Sequence, residues 1–122
     1  MAQQFSAKNP AATRVATFSA VSNLDTGETL TAINSTTVVT LSGNDPNPLS
    51  IISTSNPPAI NALSVSVDTA AGEITIPAGE CVQMGITGGL DKCKYLITVV
   101  CATSNPEKIL TLTAVLPVSV YA

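Results

Sequence analysis

VQMGITGGLDKCKYLITVVCATSNPEKILTLTAVL, residues Val82–Leu116, reads as strand, glycine turn, strand, polar turn, strand. Between Lys94 and Ala102 two apolar files alternate: Tyr95, Ile97, Val99 and Cys101 on one face, Leu96 and Val100 on the other. Successive strand side chains point to opposite faces, so the pattern predicts a central strand buried on both sides. Ser104-Asn105-Pro106 breaks the run with residues that favour turns and cannot extend a ladder. From Ile109 the alternation resumes, with Leu110, Leu112, Ala114 and Leu116 facing one way and Thr111 and Thr113 the other, as in a half-buried antiparallel strand. The glycines between Gly85 and Gly89 open no helix and have no phosphate-binding lysine at the required offset, so they read as a tight hairpin.

Working outward, Val15, Thr17, Ser19 and Val21 alternate with Ala16, Phe18 and Ala20, and Asn23 to Gly27 supplies a turn. Glu28 to Leu41 is rich in threonine and aliphatics, with Asn34-Ser35 marking either a split into two strands or a bulge. Residues 42–62 carry four of the eight prolines and a short apolar insert, Leu49–Ile52, which reads as a long connection with at most one edge strand. Leu63, Val65 and Val67 alternate with serines and Asp68; Ala70-Ala71-Gly72 then turns the chain into Glu73–Ile76, and Pro77–Glu80 turns it again. Short strands at this spacing predict an all-β chain, an antiparallel Ig-like β-sandwich of about seven strands over residues 13–116. Residues 1–12 form an N-terminal arm and 117–122 an apolar C-terminal tail after the interruption at Pro117. The arm is either loose or ordered against a neighbour, with Phe5 as its anchor.

At 122 residues the chain suits one domain. It is 45% hydrophobic but only 3% aromatic and 11% charged, and its polarity rests on 16 threonines and 12 serines. A net charge of −3 with five basic residues leaves no footprint for nucleic acid or an anionic membrane. Charge this sparse suggests that neighbouring subunits cover part of the surface. The first twelve residues lack a signal-peptide stretch and no run reaches transmembrane length, which places synthesis and assembly in a cytoplasm.

No histidine is present, which removes the commonest means of activating a nucleophile. The acids sit singly beside turns; Asp25 with Glu28, or Asp45, are weak candidates for calcium, which needs six to eight oxygens. Cys81, Cys93 and Cys101 lack zinc spacing. Cys93 and Cys101 lie eight positions apart in one strand, roughly 26 Å when extended, beyond disulfide reach. Cys101 reads as a core residue, whereas Cys81 and Cys93, beside turns, are expected nearer the surface, where either could form an intersubunit disulfide. The reading is therefore of a non-enzyme without cofactor or metal.

Three segments resemble the small Ig-like fibre, adaptor or decoration proteins of tailed-phage virions. Lys8-Asn9-Pro10 precedes a strand and Gly27-Glu28-Thr29-Leu30 follows a turn; Val82–Thr87 leads into Gly88-Gly89, with Tyr95 opening the next strand; Ala102-Thr103-Ser104 and a turn lead to the last strand. The family's tryptophans are missing around Val21-Ser22 and Met84-Gly85, and Asn105-Pro106-Glu107 replaces a glycine-arginine turn. The resemblance implies a structural role in the virion, as a building block assembled into trimers or rings at a neck, collar, tail or fibre attachment. It leads us to expect homo-oligomer contacts through Phe5, Pro117, Val118, Val120 and Tyr121, together with other phage structural proteins as partners. A capsid decoration or cement protein, or a bacterial Ig-like module binding glycan or protein, is the alternative.

Overall fold

Threonine, valine and isoleucine favour the pleated backbone, and strands make up the fold. A computed structural model describes residues 3–69 and 72–122. Among the described residues it contains β1 (Gln3–Gln4), β2 (Arg14–Ser19), β3 (Leu30–Ser42), β4 (Ala59–Ile60), β5 (Val65–Thr69), β6 (Gly72–Ile76), β7 (Cys81–Ile86), β8 (Cys93–Thr103) and β9 (Ile109–Val118), with single 3-10 turns at Val21–Asn23 and Pro48–Ile51. Seven of these strands have five or more residues, and β1 and β4 have two each. They form a four-stranded sheet ordered β1-β9-β8-β3, a three-stranded sheet ordered β2-β7-β4 and a β5-β6 ribbon. All pairings are antiparallel except β1 beside β9.

The inward files of the two larger sheets meet in one core. Tyr95, Ile97, Val99 and Cys101 of β8 and Leu112, Ala114, Leu116 and Val118 of β9 pack with Ala16 and Phe18 of β2 and Val82, Met84 and Ile86 of β7. Each large aliphatic or aromatic side chain buried in this way contributes about 1.5–3 kcal/mol. The β8–β9 hairpin closes through the Thr103 hydroxyl, which donates toward the Asn105 and Lys108 carbonyls, both at 3.0 Å. β3 is one strand with register irregularities, one of them between Ile33 and Ser35, so Asn34 is a bulge and not a break.

Four expectations are corrected. The glycine segment is not a hairpin: β7 pairs with β2 and β4, and residues 87–92 carry the chain from one sheet to the other. Positive φ at Gly88 (63°), Gly89 (91°) and Lys92 (67°) produces that change of direction. β8 is buried on one face only; Leu96 and Val100 are half-buried on the outside, because no further layer covers that face among the described residues. Leu49–Ile52 is no edge strand: a 3-10 turn at Pro48–Ile51 drives Ile51 into the core. Pro117 does not end β9, which runs to Val118.

Candidate functional site

The two termini were the expected contact surfaces, and the structure clasps them together within one chain. Gln3 and Gln4 pair in parallel with Ala114 and Val115, the Phe5 N–H donates to the Val115 carbonyl at 2.9 Å, and the Lys8 N–H donates to the Pro117 carbonyl at 2.9 Å. The Ser119 N–H returns to the Lys8 carbonyl at 2.9 Å. In a regular parallel ladder the residue at position 117 would donate to the Phe5 carbonyl, and proline has no N–H to give. The arm steps out of the ladder there and rejoins it at Lys8. Phe5 packs edge-on against Phe18, with ring centroids 5.4 Å apart at 82°. Val118 is buried in this chain's own core and Phe5 packs partly buried against it, so neither is free to anchor a neighbour, whereas Pro117 stands half-exposed opposite Lys94 on the outer side of β9. Val120 and Tyr121 are exposed.

Lys8 fastens the clasp. Its side chain is buried, and Nζ donates to the Gly88 carbonyl at 2.7 Å and the Asn9 carbonyl at 2.9 Å. Among the described residues it has no ion-pair partner, and burial, then the Arg14 charge, push its pKa down. Beneath the same crossover, Tyr95 lies fully buried; its hydroxyl donates to Asp45 Oδ2 at 2.7 Å and accepts from the Leu90 N–H at 2.9 Å. Burial, and then the bond to Asp45, raise its pKa well above the ordinary phenol value.

A phenol held protonated in the fold but free to ionise when unfolded at about pH 10 stabilises fully below that pH and progressively less above it. Tyr95→Phe is expected to cost about 1–3 kcal/mol near neutrality, because it strands the Leu90 N–H and the Asp45 carboxylate. In urea titrations the gap between wild type and variant should narrow as pH rises past about 10; a constant gap would contradict the assignment.

The thiols are not where their neighbouring turns suggested. Cys81 and Cys101 are fully buried and Cys93 is 3% exposed, which removes the basis for an intersubunit disulfide through Cys81 or Cys93. Gly43 lies directly over Cys93, and burial raises the pKa of Cys81 and Cys101. At the other end of the molecule, Lys108 Nζ meets Glu28 Oε1 at 2.7 Å and Asp25 Oδ2 at 3.6 Å. The hydrogen bond from Lys108 holds the Glu28 carboxyl below its usual range. Among the described residues no group of three or more Cys, Asp or Glu is placed to hold a metal ion.

Two surfaces of the described residues are placed to meet other molecules. The Ala20 N–H donates to the Glu80 carbonyl, so even-numbered residues of β2 face β7, while the N–H and C=O groups of Val15, Thr17 and Ser19 face away from it. Beside β2 lies a groove of about 420 Å³, walled by Val67, Asp68 and Ile74 of the ribbon and by Phe5, Arg14 and Val15. The second surface is the outer face of the four-stranded sheet. Cross-strand partners share a face, and the registers set Val39, Leu96 and Val115 in one row across it. Thr37, Thr98 and Thr113 form the next row, and Ser35, Val100 and Thr111 the one after. Lys94 is the one charged residue at the outward positions of β3, β8 and β9.

The periodicity of β9 announced its half-buried character, with Thr111 and Thr113 outward, whereas that of β8 pointed to burial on both sides. The Lys8 and Asp45 partnerships had no sequence signal, since their partners lie 80 and 50 residues away. Comparison with known proteins finds no matching family model, no matching curated protein and no matching solved structure.

Proposed function

We propose that the chain is a non-enzymatic bacteriophage virion structural protein, an Ig-like β-sandwich building block. It self-associates as a trimer or ring and binds other virion proteins at a neck or collar, tail or fibre attachment, after assembly in the host cytoplasm. The observation that carries this reading is the outer face of β3, β8 and β9, broad and built of aliphatic and hydroxyl side chains, with Lys94 as its sole charge. A surface so sparse in charge suits burial against another protein. Open backbone at Val15, Thr17 and Ser19 offers a second contact of the kind that extended partner segments use. The two core sheets and their antiparallel strands accord with the sandwich, and the sequence resemblance supplies the virion context.

Mass spectrometry of particles purified from a lysate of the host carrying this gene tests the proposal. The chain should appear at a stoichiometric copy number with the other structural proteins and be lost from particles when the gene is deleted. Its absence from purified particles overturns the virion role.

A further inference from the structure

Three features of the outer face of β3, β8 and β9 bear on what covers it. Its size comes first. The nine residues from Lys94 to Ala102 of β8 span roughly 26 Å, and three strands about 4.8 Å apart with their side chains span roughly 15 Å. The footprint is on the order of 400 Å² per copy, as large as functional patches on single proteins, and about 800 Å² over two copies, the size of a weak, transient contact.

Its composition comes second. The central row, Thr37, Thr98 and Thr113, lies between two rows that carry the larger aliphatics, Leu96 on one side and Val100 on the other. A two-fold axis in the plane between two such faces, running along the threonine row, lays hydroxyls on hydroxyls. It also packs each copy's Leu96 row on the partner's Val100 row. The central threonines then face threonines, Leu96 faces Val100 and no charge is buried, whereas Ser35 and Thr111 lie opposite the partner's Val39 and Val115 at the margins of the contact.

The third feature is charge, which selects between the two possible axes. An axis parallel to the strands would set Lys94 of each copy beside the partner's Lys94, an unfavourable juxtaposition. An axis across the strands exchanges the ends of the sheet. Lys94 then meets the partner's β8–β9 turn, where Glu107 is exposed and Lys108 is already engaged by Glu28 and Asp25. Among the described residues neither Lys94 nor Glu107 has an ion-pair partner within the chain. Association along the β3 edge is disfavoured, because three register irregularities disturb that edge.

The geometry points to a second copy of this chain as the occupant of this face. The two four-stranded sheets pack face to face about a two-fold axis across the strands, and Lys94 of each copy lies against the partner's Glu107. This deepens the self-association reading above and rests only on that part of it; it stands whatever the particles contain.

The test is sedimentation velocity of the full chain over micromolar to millimolar concentration, with circular dichroism to confirm that each variant folds. Lys94→Glu and Glu107→Lys each weaken association about tenfold or more, while the double reversal restores it to within about threefold of wild type. Thr98→Arg, at the centre of the face, abolishes association. Assembly that survives Thr98→Arg overturns this face while leaving self-association intact. Equal weakening by the single and double reversals overturns the end-exchanged arrangement. A wild-type chain that remains monomeric throughout overturns both this inference and the self-association reading.

Discussion

Asn61→Ala is expected to lower unfolding free energy by about 3–4 kcal/mol, a large share of the 5–15 kcal/mol that holds a typical domain together. The Asn61 side chain is almost buried and brackets the base of the β5–β6 ribbon. Its Nδ2 donates to the Leu63 carbonyl at 3.0 Å and the Pro77 carbonyl at 2.9 Å. Its Oδ1 accepts from the N–H groups of Gly79 (3.1 Å), Glu80 (3.2 Å) and Cys81 (3.1 Å). These five bonds do not weigh equally. The Gly79 and Glu80 N–H groups each have a second acceptor, the Asn61 and Pro77 carbonyls. The Cys81 N–H has no such alternative and is buried, so stranding it costs about 1–3 kcal/mol and dominates the sum. Asn61→Asp keeps the acceptor but loses both donated bonds, and should be less damaging than alanine. Urea denaturation checks the order; alanine and aspartate variants of equal stability would show that the Cys81 N–H is not the critical group. The ribbon forms a wall of the groove beside β2, so loosening its base should also make the ribbon backbone exchange hydrogen faster.

Gly43→Ala should destabilise by about 2–5 kcal/mol, through two additive causes. Gly43 has φ of +84°, where a side chain is strained. A Cβ there would also lie 2.5 Å from Cys93 Sγ, 2.9 Å from Cys93 Cα and 3.0 Å from the Lys92 carbonyl oxygen. The thiol alone could rotate aside, but the backbone atoms cannot move without shifting the start of β8. Gly27→Ala separates the causes: its φ is +83°, yet nothing lies within 4 Å of the added Cβ. It should cost only the conformational part, about 1 kcal/mol. Equal losses in thermal or urea melts of the two variants would mean that the close approach to Cys93 is relieved at no expense.

Local alternation by itself determined much of this protein. Period-2 patterning is a property of each strand taken alone, so the inward file Tyr95, Ile97, Val99 and Cys101, the β8–β9 hairpin and the disturbance at Asn34 were all legible. Sparse charge, too, was visible before any fold. Tertiary structure decided everything that depends on which backbone edge lies beside which. Ladder bonds are made by N–H and C=O groups common to every residue, so nothing in Val82–Ile86 could say that β7 pairs with β2 and β4 and not with β8. The same holds for the clasp of arm and tail, which took Phe5 and Val118 into the core, and for the burial of Cys81 and Cys93 beneath residues far away in the chain. Asn61 looked like one more polar residue in a proline-rich loop; three N–H groups converging from residues 79–81 made it a bracket.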